Sequence, residues 1–416
     1  MQECCALFGV YAPGEDVSRL TFFGLYSLQH RGQESSGIAT ANGEQIRVHT
    51  KMGLVSQAFD EEVLSQLCGD IAIGHNRYYT TGSSRANNAH PIIVDGPSGK
   101  LALGHNGNIV NAKELREQLE EQGYSFATTT DSEIIAYLIL SSTSKTWSER
   151  IQYAMSRLVG AYSLVLMTKD TLYGVRDSLG VRPLCLGRLD GGWVLASESC
   201  ALDHIGAQFL RDVEPGEIVA IDSKGMRSDK DRRNMTKRGM CIFEYIYFAR
   251  PDSIIAGRRI YSAREAMGAR LAREHPVDAD IVIGVPDSAT TAGIGYSQES
   301  GIPFTEGLLK NRYVGRTFIE PDQRIREVGV QLKFNPMPER LEGKSVVLVD
   351  DSIVRGTTTP RVIALLRRGG VKEVHMRICA PPIRYPCFLG VDMASSWELI
   401  AAYKEVPEIA HDIGAD

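Results

Sequence analysis

Residues 346–359 read VVLVDDSIVRGTTT: four apolar residues run into two adjacent carboxylates, and three threonines follow a glycine. Two like charges side by side repel, and desolvating either one is costly. Such a pair expects a cation or a set of hydroxyl donors. Asp350 and Asp351 stand at the carboxyl end of an oily strand, where open parallel sheets bind ligands. Gly356 permits a tight turn, and Pro360 falls early in the helix that follows, where its missing N–H costs nothing. Backbone N–H groups and the hydroxyls of Thr357, Thr358 and Thr359 would then surround a phosphate at that helix N-terminus. Carboxylates beside a phosphate cradle suit sugar hydroxyls, or a Mg2+ carried by a polyphosphate. Two other phosphate motifs are excluded. The GKS at 343–345 precedes the strand and lacks the leading glycine of a Walker A loop. No GxGxxG follows a strand, so a dinucleotide fold is excluded as well.

The elements that must position these residues change character along the chain. In the first half, CALFGVYAP, GIATANGEQIRVHTK, DIAIGHNRYYT, KLALGHNGNIVN, AYSLVLMTKDTLYGVRD and GGWVLASES are short apolar or alternating runs bounded by turn residues, and read as strands. Two stretches of helical period interrupt them: VSRLTFFGLYSLQHRG after Asp16, and DSEIIAYLILSSTSK from Asp131. Strands grouped together with helices between the groups predict a layered α+β domain. Residues 221–240 are polar and charged and read as an exposed linker. Beyond them the pattern predicts a helix over 258–275, a strand at DIVIGVP, a helix near 290–300, strands at IPFTEGLL and SVVLVDD, a helix at TPRVIALLRRGG and a strand at VKEVHMRIC. Strands alternating with helices indicate a doubly wound parallel sheet.

Length and charge narrow the classes. A chain of 416 residues suggests two or three domains. A net charge of −5 argues against a dedicated nucleic-acid binder or a membrane-surface protein. No apolar run approaches a membrane span, and the start lacks the basic region of a signal peptide, which predicts a cytoplasmic protein. The eight cysteines form no CxxC pair and are expected to be mostly free thiols. The nine histidines show no metal spacing, and His30, His75 and His105 read as structural.

VVLVDDSIVRGTTT resembles the phosphoribosyl-pyrophosphate (PRPP) motif of type I phosphoribosyltransferases. The resemblance implies that Asp350 and Asp351 contact the ribose hydroxyls and a Mg2+, and that Ser352, Arg355, Gly356, Thr357, Thr358 and Thr359 bind the 5-phosphate end of PRPP. GVPDSATTAG is similar to the family's pyrophosphate loop and places Ser288 near the metal. Residues 310–336 resemble the loop that closes over PRPP, with Lys310, Arg316 and Lys333 meeting its pyrophosphate.

CALFG, near the start, resembles the opening of the N-terminal-nucleophile amidotransferases. Counting back from Phe8 and Gly9 places the nucleophile at Cys5 rather than Cys4. Residues 1–4 would then be a propeptide whose removal frees the α-amine of Cys5. A thiol is mostly protonated at neutral pH and needs a base, and an α-amine titrates near neutrality within reach of its own side chain. QHRGQESSGIAT matches a family signature. GHNRYYTTG supplies Arg77, whose planar fork can grip the α-carboxylate of glutamine, and Thr80 and Gly82 to line the pocket. GHNGNIVN supplies Asn106 and Gly107, a side-chain amide and a backbone N–H for an oxyanion hole. TTTDSE supplies Asp131 for the ammonium of glutamine. Around Arg77 the chain departs from the family pattern at Asn76 and Tyr79, and the doubled cysteine is unusual.

A glutaminase half followed by a PRPP-binding half, joined by CIFEYIYFARPDS, resembles the glutamine PRPP amidotransferase family over nearly the whole chain. The implied fold is a four-layer αββα N-terminal-nucleophile hydrolase domain over 5–230, followed by a doubly wound parallel-sheet phosphoribosyltransferase domain over 231–416. The implied reaction converts glutamine, PRPP and water to 5-phosphoribosylamine, pyrophosphate and glutamate, opening purine synthesis. Ammonia would pass through an internal channel, because protonation in water would end its nucleophilicity. Purine nucleotides are the implied feedback inhibitors, and a dimer or tetramer of this chain the implied assembly; nucleic acid and membrane are not implied partners. Many members hold a [4Fe–4S] cluster on four cysteines. Cys241 and Cys387 match two of those positions, and the chain reaches Asp416 before the other two, so either the cluster is absent or the chain is a truncated form. Two rivals remain. An amidotransferase such as glucosamine-6-phosphate synthase shares the first half but lacks the DD motif. A non-catalytic PRPP or purine sensor keeps that motif, and intact Cys5, Arg77, Asn106 and Asp131 argue against it.

Overall fold

The structure is a computed structural model and describes residues 5–78, 86–230, 238–311, 333–391, 393 and 395–416. The chain divides into two units. The first comprises Met1–Cys241, Asp252–Gly257 and Cys387–Asp392; the second comprises Ile242–Pro251, Arg258–Pro386 and Met393–Asp416.

The first unit is built on two antiparallel sheets. One has seven strands in the order Gln208–Asp212, Cys185–Leu189, Gly192–Ala196, Ala6–Tyr11, Ile71–Arg77, Ser35–Ala41 and Ile46–Met52. The other has six, in the order Gly225–Lys230, Glu217–Asp222, Leu172–Arg176, Gly160–Met167, Gly99–Ile109 and Ile92–Gly96. Alternation along a strand explains the layering. Ala6, Phe8 and Val10 face the helices Val17–Ser27 and Cys200–His204. Leu7, between them, joins Ile73, Ala102, Val165 and Leu195 in the core between the sheets. On the far side, Leu101, Leu103 and Leu164 pack against Ile135 and Ile139 of the helix Asp131–Ser141 and against Leu115 and Ile151. The result is four layers, helix–sheet–sheet–helix.

The expected linker over 221–240 is corrected in its first part. Glu217–Asp222 and Gly225–Lys230 pair as a hairpin, and the second strand forms the sheet edge. Arg227, Ser228, Asp229 and Lys230 are exposed there, so the polarity that reads as a loop is that of an edge strand.

The second unit holds three parallel strands, Ile281–Gly284, Ser345–Asp350 and Glu373–Ile378, in that spatial order. Val282, Val347 and Val349 pack against Leu271, Ala292 and Tyr296 of the helices Ile260–Glu274 and Thr290–Ser300. Ile283, Val346 and Leu348 face Val362, Leu366 and Ile409, from the helices Thr359–Arg368 and Val406–Ile413. Helices on both faces make the sheet doubly wound. The expected strand at IPFTEGLL is shorter than its apolar content suggests. Phe304 makes one parallel bridge to Val282, and Leu308–Lys310 pairs separately with Phe334–Pro336. Gly307 and the polar pair Thr305 and Glu306 interrupt the run.

Candidate functional site

Strand register assembles the first site. Ala6 pairs with Asn76 and Leu7 with His75, which brings Cys5 beside Arg77. Asn106 pairs with Ser163 and Gly107 with Tyr162 on the second sheet. The helix Asp131–Ser141 begins at the residue expected to bind an ammonium. Cys5, Arg77, Gly107 and Asp131 thereby line one small recess, together with Tyr78, His90, His105, Thr130 and Ser132.

The electrostatics of this recess are specific. The Cys5 sulfur lies 3.5 Å from the backbone nitrogen of Tyr78, which donates to it. Burial pushes the Cys5 thiol up, against the opposing influence of the Tyr78 backbone and Arg77. Cys5 is therefore a protonated thiol at neutral pH and would need a base to act as a nucleophile. Asp131 behaves oppositely. Burial alone would raise it, but the facing His105 imidazole and the Ile109 N–H, donating at 3.0 Å, hold its carboxyl below the usual range. Asp131 stays ionised and can receive a cation. Arg77 donates from Nη1 to Glu34 Oε2 at 3.0 Å, so the cation expected to grip a substrate carboxylate is already anchored by a half-buried acid. Asn106 is buried, and its Nδ2 has no hydrogen-bond partner among the described residues, the state expected of a donor kept for a ligand. His75 and His90 stack at 4.6 Å, and burial holds the His75 ring neutral, with its pKa lowered to about 3.

Sequence reasoning missed Glu34, Tyr78, His90 and Ser132. Glu34, Tyr78 and Ser132 sit inside the motifs QHRGQESSGIAT, GHNRYYTTG and TTTDSE, beside the residues those motifs point to. His90 lies outside every such motif and reaches the recess only through the fold. A second buried cluster touches Cys5. Arg31 is fully buried; its Nε donates to the Cys5 carbonyl at 3.3 Å and its Nη1 donates to Glu198. Glu198 also meets His30 Nε2 at 2.7 Å and accepts from Ser253 Oγ at 2.6 Å. Burial would raise Glu198, but His30 and Arg31 hold it low. Glu198→Gln strands the Arg31 charge in a dry site, so unfolding stability should fall by about 3–5 kcal/mol. A thermal melt unchanged from the parent would show that Arg31 is not held by this pair.

The second site forms at the carboxyl end of Ser345–Asp350. Asp351 is buried, and Ser288 Oγ donates to its Oδ2 at 2.5 Å while Ser352 Oγ donates to its Oδ1. Burial and the neighbouring Asp351 push Asp350 well up, and burial raises Asp351 against the two serines. Two acids that resist ionisation side by side are short of a cation. Hard oxygen donors of this kind fit Mg2+, which takes its remaining ligands from water and phosphates. Gly356 has φ +67°, and a Cβ there would stand 2.6 Å from Ile400 Cδ1, so the turn favours glycine. Thr357 and Thr358 are exposed and Thr359 is buried at the start of the helix. Arg355 does not face the turn as a lone cation: it donates to Glu398 at 2.7 Å and 3.1 Å. Lys310 Nζ is paired with Asp287. Lys333 lies over the Phe334 ring and contributes charge near Asp350.

Thr80, Gly82, Arg316 and residues 1–4 lie outside the described residues. Among the described residues no group of three or more His, Cys, Asp or Glu could hold a metal ion. A [4Fe–4S] cluster needs four thiolates, and Cys241 and Cys387 are only two, so the described residues do not fit one. Among them, too, no helix is long and apolar enough to cross a membrane.

Comparison with known proteins converges on both halves. A glutamine amidotransferase domain profile matches residues 75–204, and a phosphoribosyl transferase domain profile matches 256–383. The amidophosphoribosyltransferase of Synechococcus elongatus is 50% identical, the match covering 100% of this chain and 85% of that protein. The amidophosphoribosyltransferase of Archaeoglobus fulgidus is 51% identical over 99% of this chain and 90% of its own. A solved structure of the allosteric regulatory enzyme of purine biosynthesis superposes with a TM-score of 0.94 at 47% identity, covering 99% of this chain and 88% of that one. The Bacillus subtilis glutamine PRPP amidotransferase, solved with ADP and GMP, superposes with a TM-score of 0.93 at 46% identity, covering 99% and 90%.

Proposed function

The chain belongs to the amidophosphoribosyltransferase family, and from that premise we propose how its own residues divide the work. As a member it transfers the amide nitrogen of glutamine to PRPP, giving 5-phosphoribosylamine, pyrophosphate and glutamate, the first committed step of purine biosynthesis.

The observation that carries the assignment of roles is the recess that gathers Cys5, Arg77, Gly107 and Asp131. After loss of residues 1–4, the α-amine of Cys5 takes the thiol proton, and the sulfur attacks the amide carbon of glutamine. Arg77 and Asp131 hold the α-carboxylate and α-ammonium. The Asn106 side-chain amide and the Gly107 N–H receive the oxyanion. The α-amine returns the proton to the leaving nitrogen, ammonia departs, and water releases glutamate from the thioester. Ammonia is kept from bulk water and attacks C1 of PRPP with loss of pyrophosphate.

Asp350, Asp351 and Ser288 would hold a Mg2+, which when bound neutralises the departing pyrophosphate. Asp350 and Asp351 also take the ribose hydroxyls. Ser352, Gly356 and Thr357 to Thr359 receive the 5-phosphate, and Arg355, anchored by Glu398, faces that end. Lys310, Arg316 and Lys333 meet the pyrophosphate. Thr80 and Gly82 complete the glutamine pocket. Purine nucleotides are the inhibitors of this reading, supported by the ADP and GMP complex of the Bacillus subtilis enzyme. The working form is a cytoplasmic homo-oligomer.

Glutamine labelled with 15N at the amide tests the scheme. The label should appear in phosphoribosylamine even with unlabelled ammonium in excess. Full dilution of the label by that ammonium would mean that ammonia escapes to solvent before the second reaction.

A further inference from the structure

Residues Cys387–Asp392 belong to the first unit, although the chain before them, to Pro386, and after them, from Met393, belongs to the second. This strap is fastened within the first unit mainly through its backbone. Arg182, fully buried, donates from Nη2 to the Leu389 carbonyl at 2.8 Å. Asn108 donates from Nδ2 to the Phe388 carbonyl at 2.9 Å. The Phe388 ring itself is exposed, and Val391 is the buried apolar anchor.

Between these fastenings Gly390 rests on Gly107. A Cβ on Gly390 would stand 3.0 Å from the Gly107 carbonyl carbon, 3.2 Å from its Cα and 3.1 Å from Arg182 Nη2. Gly390 also has φ +97°, a conformation that side chains disfavour. Gly107 is equally constrained on the strand side. Its φ is +151°, and a Cβ there would lie 1.9 Å from the Ala161 carbonyl oxygen. One peptide segment is therefore in backbone contact with both the neighbouring strand and the strap. Arg182 is part of the same framework, because its carbonyl accepts from Ser163 Oγ at 3.0 Å and Ser163 pairs with Asn106.

A strap with one buried valine adds little to the core. What it fixes is Gly107 itself, whose Cα joins the carbonyl facing the strap to the peptide that carries the Gly107 N–H. An oxyanion hole works because its donors are aimed before the charge develops, so freedom at that residue would cost rate rather than binding. The geometry points to the Cys387–Val391 strap as the element that aims the Gly107 N–H, with Arg182 and Asn108 as its positioning residues. The inference rests on Gly107 being an oxyanion donor.

Gly390→Val and Asn108→Ala test it from two directions, one by added bulk and one by a lost fastening. Each should lower kcat for glutamine hydrolysis by roughly 10- to 100-fold, a part of the effect of removing a donor outright. KM for glutamine and the ammonium-dependent synthesis of phosphoribosylamine should stay at the parent values. Equal loss of the glutamine-dependent and ammonium-dependent activities would overturn the inference in favour of a folding role. Parent kcat in both variants would overturn it as well. Asn106→Ala separates this failure from failure of the oxyanion reading. A large kcat loss there, with Gly390→Val and Asn108→Ala unimpaired, refutes the strap alone. Full kcat in Asn106→Ala refutes the oxyanion reading and the strap together.

Discussion

Cys5→Ala should remove glutamine-dependent synthesis of phosphoribosylamine by a factor on the order of 10^4 or more, while synthesis from ammonium salts persists within about twofold. The asymmetry follows from two separate chemistries. In the proposed scheme the thiol is the group that forms a bond to the glutamine carbon, and no described neighbour in the recess offers a replacement. Tyr78 offers only its backbone to the sulfur, and His90 and His105 are buried rings, the first held neutral by desolvation. The proposed PRPP end uses Asp350, Asp351 and the threonine turn, none of which needs the thiol. Steady-state assays with glutamine and with ammonium chloride as alternative nitrogen sources make the measurement. Equal loss of both activities would contradict a division of labour between the two sites.

Asp351→Asn should raise KM for PRPP by about 10- to 100-fold, the effect of losing a charge-assisted contact, and should also change how stability responds to pH. Both acids have folded proton affinities above those of an unfolded chain, Asp350 through burial and Asp351, and Asp351 through burial. For a raised acid, the contribution to stability is present below the ordinary carboxylate range and is lost as pH rises through the raised value. The contribution of this pair in the ligand-free protein should thus fall as pH rises above the ordinary carboxylate range, and Asp351→Asn should show less of that fall. Magnesium with PRPP favours the ionised pair, so its stabilisation should grow with pH; at 100 times Kd it reaches about 2.7 kcal/mol. Thermal melts at pH 5 and pH 8, with and without magnesium PRPP, read both effects. Parallel pH dependence in the parent and in Asp351→Asn would show that the pair is not under electrostatic strain.

Much of this architecture is legible in short stretches. The helix Val17–Ser27 begins where Asp16 caps it, accepting from the Arg19 N–H at 3.1 Å. The helix Thr359–Arg368 starts at the threonines and Pro360, as the local rules require. Continuous apolar runs identify Ala6–Tyr11 and Ser345–Asp350, because a strand buried on both faces must be apolar throughout. Polarity misleads at Gly225–Lys230, where an exposed sheet edge has the composition of a loop.

What the amino-acid sequence determined by itself is the set of reactive groups and their local cradles: a thiol near the start, an HNG stretch, an acidic pair ahead of a glycine and three threonines. These are settled within a few residues, where capping, φ preference and charge adjacency act. Only the tertiary structure decided what holds each group in place. Arg31 meets Glu198 across 167 residues, Arg182 meets Leu389 across 207, and Arg355 meets Glu398 across 43. A buried charge can be paired by any opposite charge that the fold delivers, and a carbonyl by any donor. Their identity therefore leaves no periodic trace along the chain and is set by the packing of the layers alone.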